Sequence, residues 1–266
     1  MCLTAETTEV VFTLGAGDRV VGVTGYAVRP PEARKKPKVA AFRSGNVARI
    51  LELRPDLVLG FSDLQADLAA DLIRAGVTVL VTNQRTLAET ASAIEMLGSV
   101  IGLGAAGAAL AQQFRDDLEG IQAANANLER RPRVWFEEWD EPLIGGIGWA
   151  GELIALAGGV DVFPELGRAQ GAAGRIVDSR EVLRRAPEII VGSWCGKRFI
   201  PARVAARPGW DGLEAVREGR LYEIKAPDIL QPGPSLVRGA RQLAAIVASY
   251  SATGRGSSGM PGSIAK

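Results

Sequence analysis

Stretches in which apolar residues recur every three or four positions alternate along this chain with short apolar runs rich in β-branched residues. That alternation is the pattern of helices interleaved with buried strands. It predicts a strand over residues 2–4, then a helix from the caps Thr7 and Thr8 to Leu14, closed by Gly15-Ala16-Gly17. A strand over 20–24 follows, then a proline- and charge-rich loop over 26–38, a helix over 46–53 and a buried strand over 57–60. A helix over 64–75 with Gly76 as its C-cap, a strand over 77–82 and a helix over 87–97 complete the first half. Residues 105–128 form an alanine-rich helical stretch without proline, stopped at Pro132. The second half predicts a strand over 133–136, a glycine-rich turn, a helix over 150–157 and a loop over 164–173. A helix from Ser179 to Arg185, strands over 189–192 and 221–224, and a last helix over 236–249 follow.

One phrase occurs twice. Ile50-Leu51-Glu52-Leu53-Arg54-Pro55-Asp56-Leu57-Val58-Leu59-Gly60-Phe61-Ser62 reads as helix end, Pro-acid turn, apolar strand and loop, and so does Val182-Leu183-Arg184-Arg185-Ala186-Pro187-Glu188-Ile189-Ile190-Val191-Gly192-Ser193-Trp194. The copies lie about half a chain apart, far beyond a solenoid period. The expected fold is therefore α/β: two lobes with mostly parallel sheets flanked by helices, joined by one long connecting helix, with a ligand cleft between the lobes. The expected boundaries are 1–102 for the first lobe, 103–131 for the connecting helix, 132–250 for the second lobe and 251–266 for a flexible tail. A proline-free connector predicts a strut rather than a flexible hinge.

Composition narrows the chemistry. The 266 residues are 47% hydrophobic and 23% charged with a net charge of +1, so no global field favours nucleic acid or an anionic membrane. There is no histidine. That removes His-ligated zinc and haem and every Ser-His or Cys-His catalytic pair. Cys2 and Cys195 are too few for a disulfide framework and read as two thiols. The first residues lack a basic n-region and an apolar h-region, and no apolar run is long enough to span a bilayer. The expectation is a cytoplasmic monomer, or a periplasmic one if a leader has been removed, with Cys2 not a lipid-anchor cysteine.

Several segments carry a family resemblance. They are Thr4-Ala5-Glu6-Thr7-Thr8-Glu9, Leu14-Gly15-Ala16-Gly17-Asp18-Arg19-Val20-Val21-Gly22-Val23, Pro30-Pro31-Glu32-Ala33, Lys36-Pro37-Lys38-Val39, and Arg49-Ile50 through Leu59. Over about residues 1–250 the chain resembles the helical-backbone substrate-binding proteins of ABC importers, receptors for cobalamin, siderophores, haem and metals. It is most similar to the cobalamin-binding, periplasmic vitamin receptor group. The resemblance implies two lobes on one long helix, modest closure, cobalamin as bound ligand and an ABC permease as partner. It also implies one permease-docking glutamate per lobe, but those positions hold Ala48 and Arg180 here, with Glu181 beside the latter. The cleft-facing segments carry more charge than a corrinoid needs.

Loops at the carboxyl ends of strands should face the ligand. In the first lobe these give Glu6, Tyr26, Phe42 with Arg43, Phe61-Ser62-Asp63, and Gln84 between Asn83 and Arg85. In the second they give Glu138 and Trp139, Trp149, Trp194-Cys195 with Lys197, and Gln231. Trp194 and Trp139 sit among polar residues just after a strand, where an aromatic face can stack on a large planar ligand; the alternative is a packed core tryptophan. Trp135 reads as core, and Trp210 as packing a turn. Glu137, Glu138 and Asp140 could hold amide or amine groups, hold a hard cation, act as an acid/base pair or form a solvated loop; strand alternation prevents all three from converging. Cys195 beside Lys197 could be a lowered-pKa thiol, though an inert cysteine is the preferred reading. Gly145-Gly146 and Gly102-Leu103-Gly104 lack the residues of a phosphate loop, and the basic stretch 29–38 reads as a solvated loop.

The expected function is non-enzymatic binding of a small molecule, cobalamin foremost, with no catalytic or metal-ligating residues. The alternatives are a cytoplasmic enzyme or cofactor-handling protein on the same fold, and a receptor for a siderophore or another polar metabolite.

Overall fold

The protein is represented by a computed structural model that describes residues 1–41 and 43–253. Phe42 and residues 254–266 of the expected tail lie outside the described residues, while 251–253, also expected to be tail, are helical and end the last helix, which corrects the start of that segment. The described chain groups into two compact units, Met1–Asp117 with Pro227–Val237, and Leu118–Ala226 with residues 238–253.

The first unit holds helices α1 (Ala5–Thr13), α2 (Val47–Glu52), α3 (Ala66–Arg74) and α4 (Leu87–Val100), with strands β1 (Val23–Thr24), β2 (Lys38–Ala40), β3 (Val58–Phe61) and β4 (Val79–Thr82). All the strand pairings are parallel. Cys2 bridges β1 and β3 by pairing with Val23 and Leu59, so one extended residue closes two short ribbons into one sheet. β3 is buried along its whole length, as its unbroken apolar run predicts. α3 buries Leu68, Ala69 and Leu72 and turns its charged residues outward, and Leu3, Val39, Ile50 and Val58 complete that core. Thr86 and Glu89 form a reciprocal capping box that starts α4.

The division between units falls inside α5 (Gly104–Asn125). The second unit holds strands β5 (Arg133–Asp140), β6 (Leu143–Gly145), β7 (Val160–Asp161), β8 (Ile189–Gly192) and β9 (Leu221–Glu223). Its helices are α6 (Gly148–Leu156), α7 (Ser179–Arg185), α8 (Pro201–Ala205) and α9 (Glu214–Arg217), and α10 (Ala226–Ile229) and α11 (Leu236–Thr253) end the described chain. The sheet runs β6-β5-β8-β9, with β7 also paired to β5, and all its pairings are parallel except β5 with β6.

The duplicated phrase is duplicated in backbone geometry. Arg54 (φ 44°) and Ala186 (φ 46°) are both left-handed and both precede a proline, and each turn delivers the chain into a fully buried strand, β3 or β8. Proline disfavours the α conformation at the residue before it, so the helix stops at the same point twice.

Two further expectations are corrected. β5 continues to Asp140 and pairs back onto β6, so Glu137–Asp140 belong to a strand rather than a loop. The pairing slips between Glu137 and Trp139, leaving Glu138 as the bulged residue. The short segment Pro227–Val237, read as part of the second lobe, groups with the first unit.

Candidate functional site

Parallel strands pair side by side in each unit, β3 with β4 in the first and β5, β8 and β9 in the second, and the candidate residues are placed relative to their carboxyl ends. In the first unit Phe61 ends β3, and the Arg85 guanidinium lies 5.3 Å from its ring centroid. Arg85 also pairs with exposed Asp63 at 2.9 Å. Ser62, at φ 73°, is buried, and its hydroxyl accepts from the Leu64 amide to start a 3₁₀ turn. It therefore serves as a cap, not as a ligand-facing group. Tyr26 and Arg43 are exposed.

Glu6 lies in the first turn of α1 and is only 4% exposed. Among the described residues its Oε1 has no hydrogen-bond partner. Burial pushes its carboxyl up to about 7, with the Thr4 hydroxyl opposing and the Glu9 charge adding to the rise. Gly233 packs on it so closely that a Cβ there would lie 3.0 Å from Glu6 Cβ. The chain segment around Gly233 is tied down by polar bonds: Gln84 Nε2 donates to Pro232 O at 3.1 Å, Arg29 Nη2 to Pro227 O at 3.0 Å, and the Ser235 hydroxyl to Glu9. These bonds explain why Gln231 groups with the first unit. Partners so distant in sequence leave no local signal.

Because the folded protein holds the Glu6 proton more tightly than the unfolded chain does, stability falls as pH rises from about 4.5 to about 7 and levels off above that range. Glu6→Gln is expected to flatten that decline. Its stability relative to the wild type should be higher by up to about 3 kcal/mol at pH 8 than at pH 4.5, measured by urea unfolding at the two pH values.

In the second unit the acidic residues are paired. Glu137 is completely buried and accepts from Trp135 Nε1 (3.0 Å), Trp194 Nε1 (2.9 Å) and both terminal nitrogens of Arg207 (2.6 and 2.8 Å). Glu138 is chelated by buried Arg175, whose Nη1 also donates to Gly145 O at 2.5 Å. Asp140 is shared between Lys197, which hydrogen-bonds to it, and Arg203 at 3.5 Å. Burial raises the Asp140 carboxyl, but the Lys197 hydrogen bond and charge outweigh it and hold the group below the ordinary value. Among the described residues no group of three or more His, Cys, Asp or Glu side chains could hold a metal ion.

The tryptophans divide. Trp194 is 2% exposed and packs edge-on against Phe199 with 5.0 Å between centroids. Gly192 makes room for that ring, since a Cβ there would fall 1.8 Å from Phe199 Cδ2. Trp194 is a core residue, which corrects its assignment to ligand stacking. Trp149 is also core, on the buried face of α6. Trp135 and Trp210 lie in the same core cluster as Trp194, and the Trp210 NH donates to Ser179. Trp139 is only partly buried. Its NH donates to Glu141 O, and the Lys197 ammonium lies 3.9 Å from its ring centroid.

Cys195 is exposed, and desolvation followed by the Glu138 charge raises its thiol pKa. This corrects the lowered-pKa alternative: both burial and the Glu138 charge raise the thiol, while Lys197 is engaged by Asp140. Ala48 is exposed on α2, and Arg180 is exposed on α7 beside Glu181, whose carboxylate is taken by Arg184 and Arg185. The sequence reading missed Arg175, Arg203 and Arg207, which sit 37, 63 and 70 residues from Glu138, Asp140 and Glu137, the acids they meet.

The model of the periplasmic binding protein family matches residues 1–227. The ABC transporter substrate-binding lipoprotein YvrC of Bacillus subtilis is 29% identical over 249 residues, covering 91% of this chain and 77% of the relative. A vitamin B12-binding protein of Vibrio cholerae is 27% identical over 245 residues, 91% of this chain and 86% of the relative. Among solved structures, the periplasmic vitamin B12-binding protein BtuF of Vibrio cholerae superposes with a TM-score of 0.75 at 25% identity, covering 93% of this chain and 95% of that one. The haem-binding protein RhuT from Roseiflexus sp. RS-1 superposes with a TM-score of 0.83 at 22% identity, covering 94% and 97%. No helix among the described residues is long and apolar enough to cross a membrane.

Proposed function

We propose, as the chain belongs to the periplasmic binding protein family, that it is a non-enzymatic receptor for a corrinoid, delivering it to an ABC permease from the outer side of the cytoplasmic membrane. The observation that carries the ligand assignment is the likeness to vitamin B12-binding proteins in both sequence and structure, over nine-tenths of the chain. Two features of the molecule support it. A corrinoid brings its own cobalt and can bring its own axial base, so a protein without histidine can bind it by stacking and hydrogen bonds. Exposed Tyr26 and half-buried Trp139 present aromatic surface near the carboxyl edges of the two sheets.

The same edges argue for binding rather than catalysis. Glu137, Glu138 and Asp140 are each committed to a cation, and the Cys195 thiol is raised rather than activated. Family membership supports the location outside the cytoplasm, against the expectation drawn from the first residues. Native mass spectrometry of protein purified from its source organism tests the assignment. The expected result is a bound species of corrinoid mass with the visible spectrum of a cobalt corrin; a haem spectrum, or a bound species of another class, would overturn it.

A further inference from the structure

Each acid of β5 is met by a cation once the chain is folded. Glu137 is consumed by Arg207 and Glu138 by Arg175, both side chains largely buried. Asp140 has two cations to itself, Lys197 with 34% of its side chain exposed and Arg203 with 53%. One carboxylate cannot neutralise both, so Asp140 and its two partners together carry a charge of +1, with Arg203 on α8 and exposed Glu141 next in the chain. The surplus lies against an aromatic face, because the Lys197 ammonium that Asp140 holds is the one resting on Trp139.

We propose that Lys197 is a specificity-determining residue of the ligand site, selecting a corrinoid that carries its anionic phosphodiester over one that lacks it. The inference rests on the corrinoid reading above. An ammonium has three donors, and among the described residues Asp140 is the hydrogen-bond acceptor that Lys197 meets, so donors remain for an incoming anion. A ligand with an anionic group meets Lys197 and exposed Arg203 and gains charge-assisted hydrogen bonds. A ligand without one must displace the ammonium from the Trp139 face to stack there, and gains nothing in return.

The test compares cyanocobalamin with dicyanocobinamide, which has the same corrin ring but no phosphodiester, by calorimetry on the folded full chain. The wild type is expected to bind cyanocobalamin more tightly, by roughly tenfold, the scale of one hydrogen bond to a charged group. Lys197→Gln should abolish that preference by weakening cyanocobalamin while leaving dicyanocobinamide as tight or tighter, since no ammonium then covers the Trp139 face, and Lys197→Arg should keep it. Raising salt from about 0.05 to 0.5 M should narrow the wild-type preference by screening. If Lys197→Gln weakens both ligands equally or changes neither, or if the wild type does not discriminate, the assignment of Lys197 is wrong while the corrinoid reading stands. If neither compound binds the folded wild type, both fall together.

Discussion

Replacing Glu137 with alanine is expected to remove about 3–5 kcal/mol of folding stability, the cost of stripping one partner from a buried ion pair. No part of Glu137 reaches solvent, and the Arg207 side chain facing it is only 16% exposed. The substitution leaves that guanidinium without its carboxylate and orphans the indole NH groups of Trp135 and Trp194 as well. Glu137→Gln keeps the shape but loses the charge, and it can accept through only one oxygen. It should lie between the alanine variant and the wild type. Denaturant unfolding of the three proteins gives the order directly. A loss for the alanine variant below about 1 kcal/mol, the range of an exposed pair, would mean that the Glu137–Arg207 pair is solvated in solution.

Trp194→Ala should cost a similar amount, about 3–5 kcal/mol, because it empties a core site the size of an indole. It also removes one donor from Glu137 and the edge contact with Phe199. The stacking role suggested by sequence makes a different forecast: a loss of about 1–3 kcal/mol in ligand binding with folding intact. Urea unfolding combined with binding per folded molecule separates the two. The expected result is a large fall in stability with unchanged affinity in the folded fraction. Since Trp194 and Glu137 touch, their losses should fall short of additive in the double variant.

These two residues also mark where sequence reading succeeds and fails. What depends on neighbours along the chain was legible. The Pro-acid turns after α2 and α7, the buried strands β3 and β8, and the amphipathic α3 follow from proline sterics and apolar periodicity, and family membership was visible in the order of short motifs. What depends on distant partners was not. The polar residues around Trp194 suggested a surface loop, yet Gly192 admits Phe199 and Glu137 takes the indole NH, so the ring is drawn inward. Glu137, Glu138 and Asp140 looked like an acidic patch because the arginines that neutralise two of them lie dozens of residues later. Gln231 looked like second-lobe material because nothing nearby announces that Gln84, Arg29 and Glu9 anchor its segment to the first unit.

Calorimetric titration of the folded protein with cyanocobalamin decides whether this periplasmic binding protein receives a corrinoid. A corrinoid receptor should saturate at one ligand per chain with a Kd of about 1 μM or tighter, a binding free energy of roughly −8 kcal/mol or better. The heat-capacity change should be negative, as apolar surface on the ring and on the protein leaves water. Absence of heat at several temperatures, from a protein whose melting transition shows it to be folded, would contradict the assignment while leaving the fold intact.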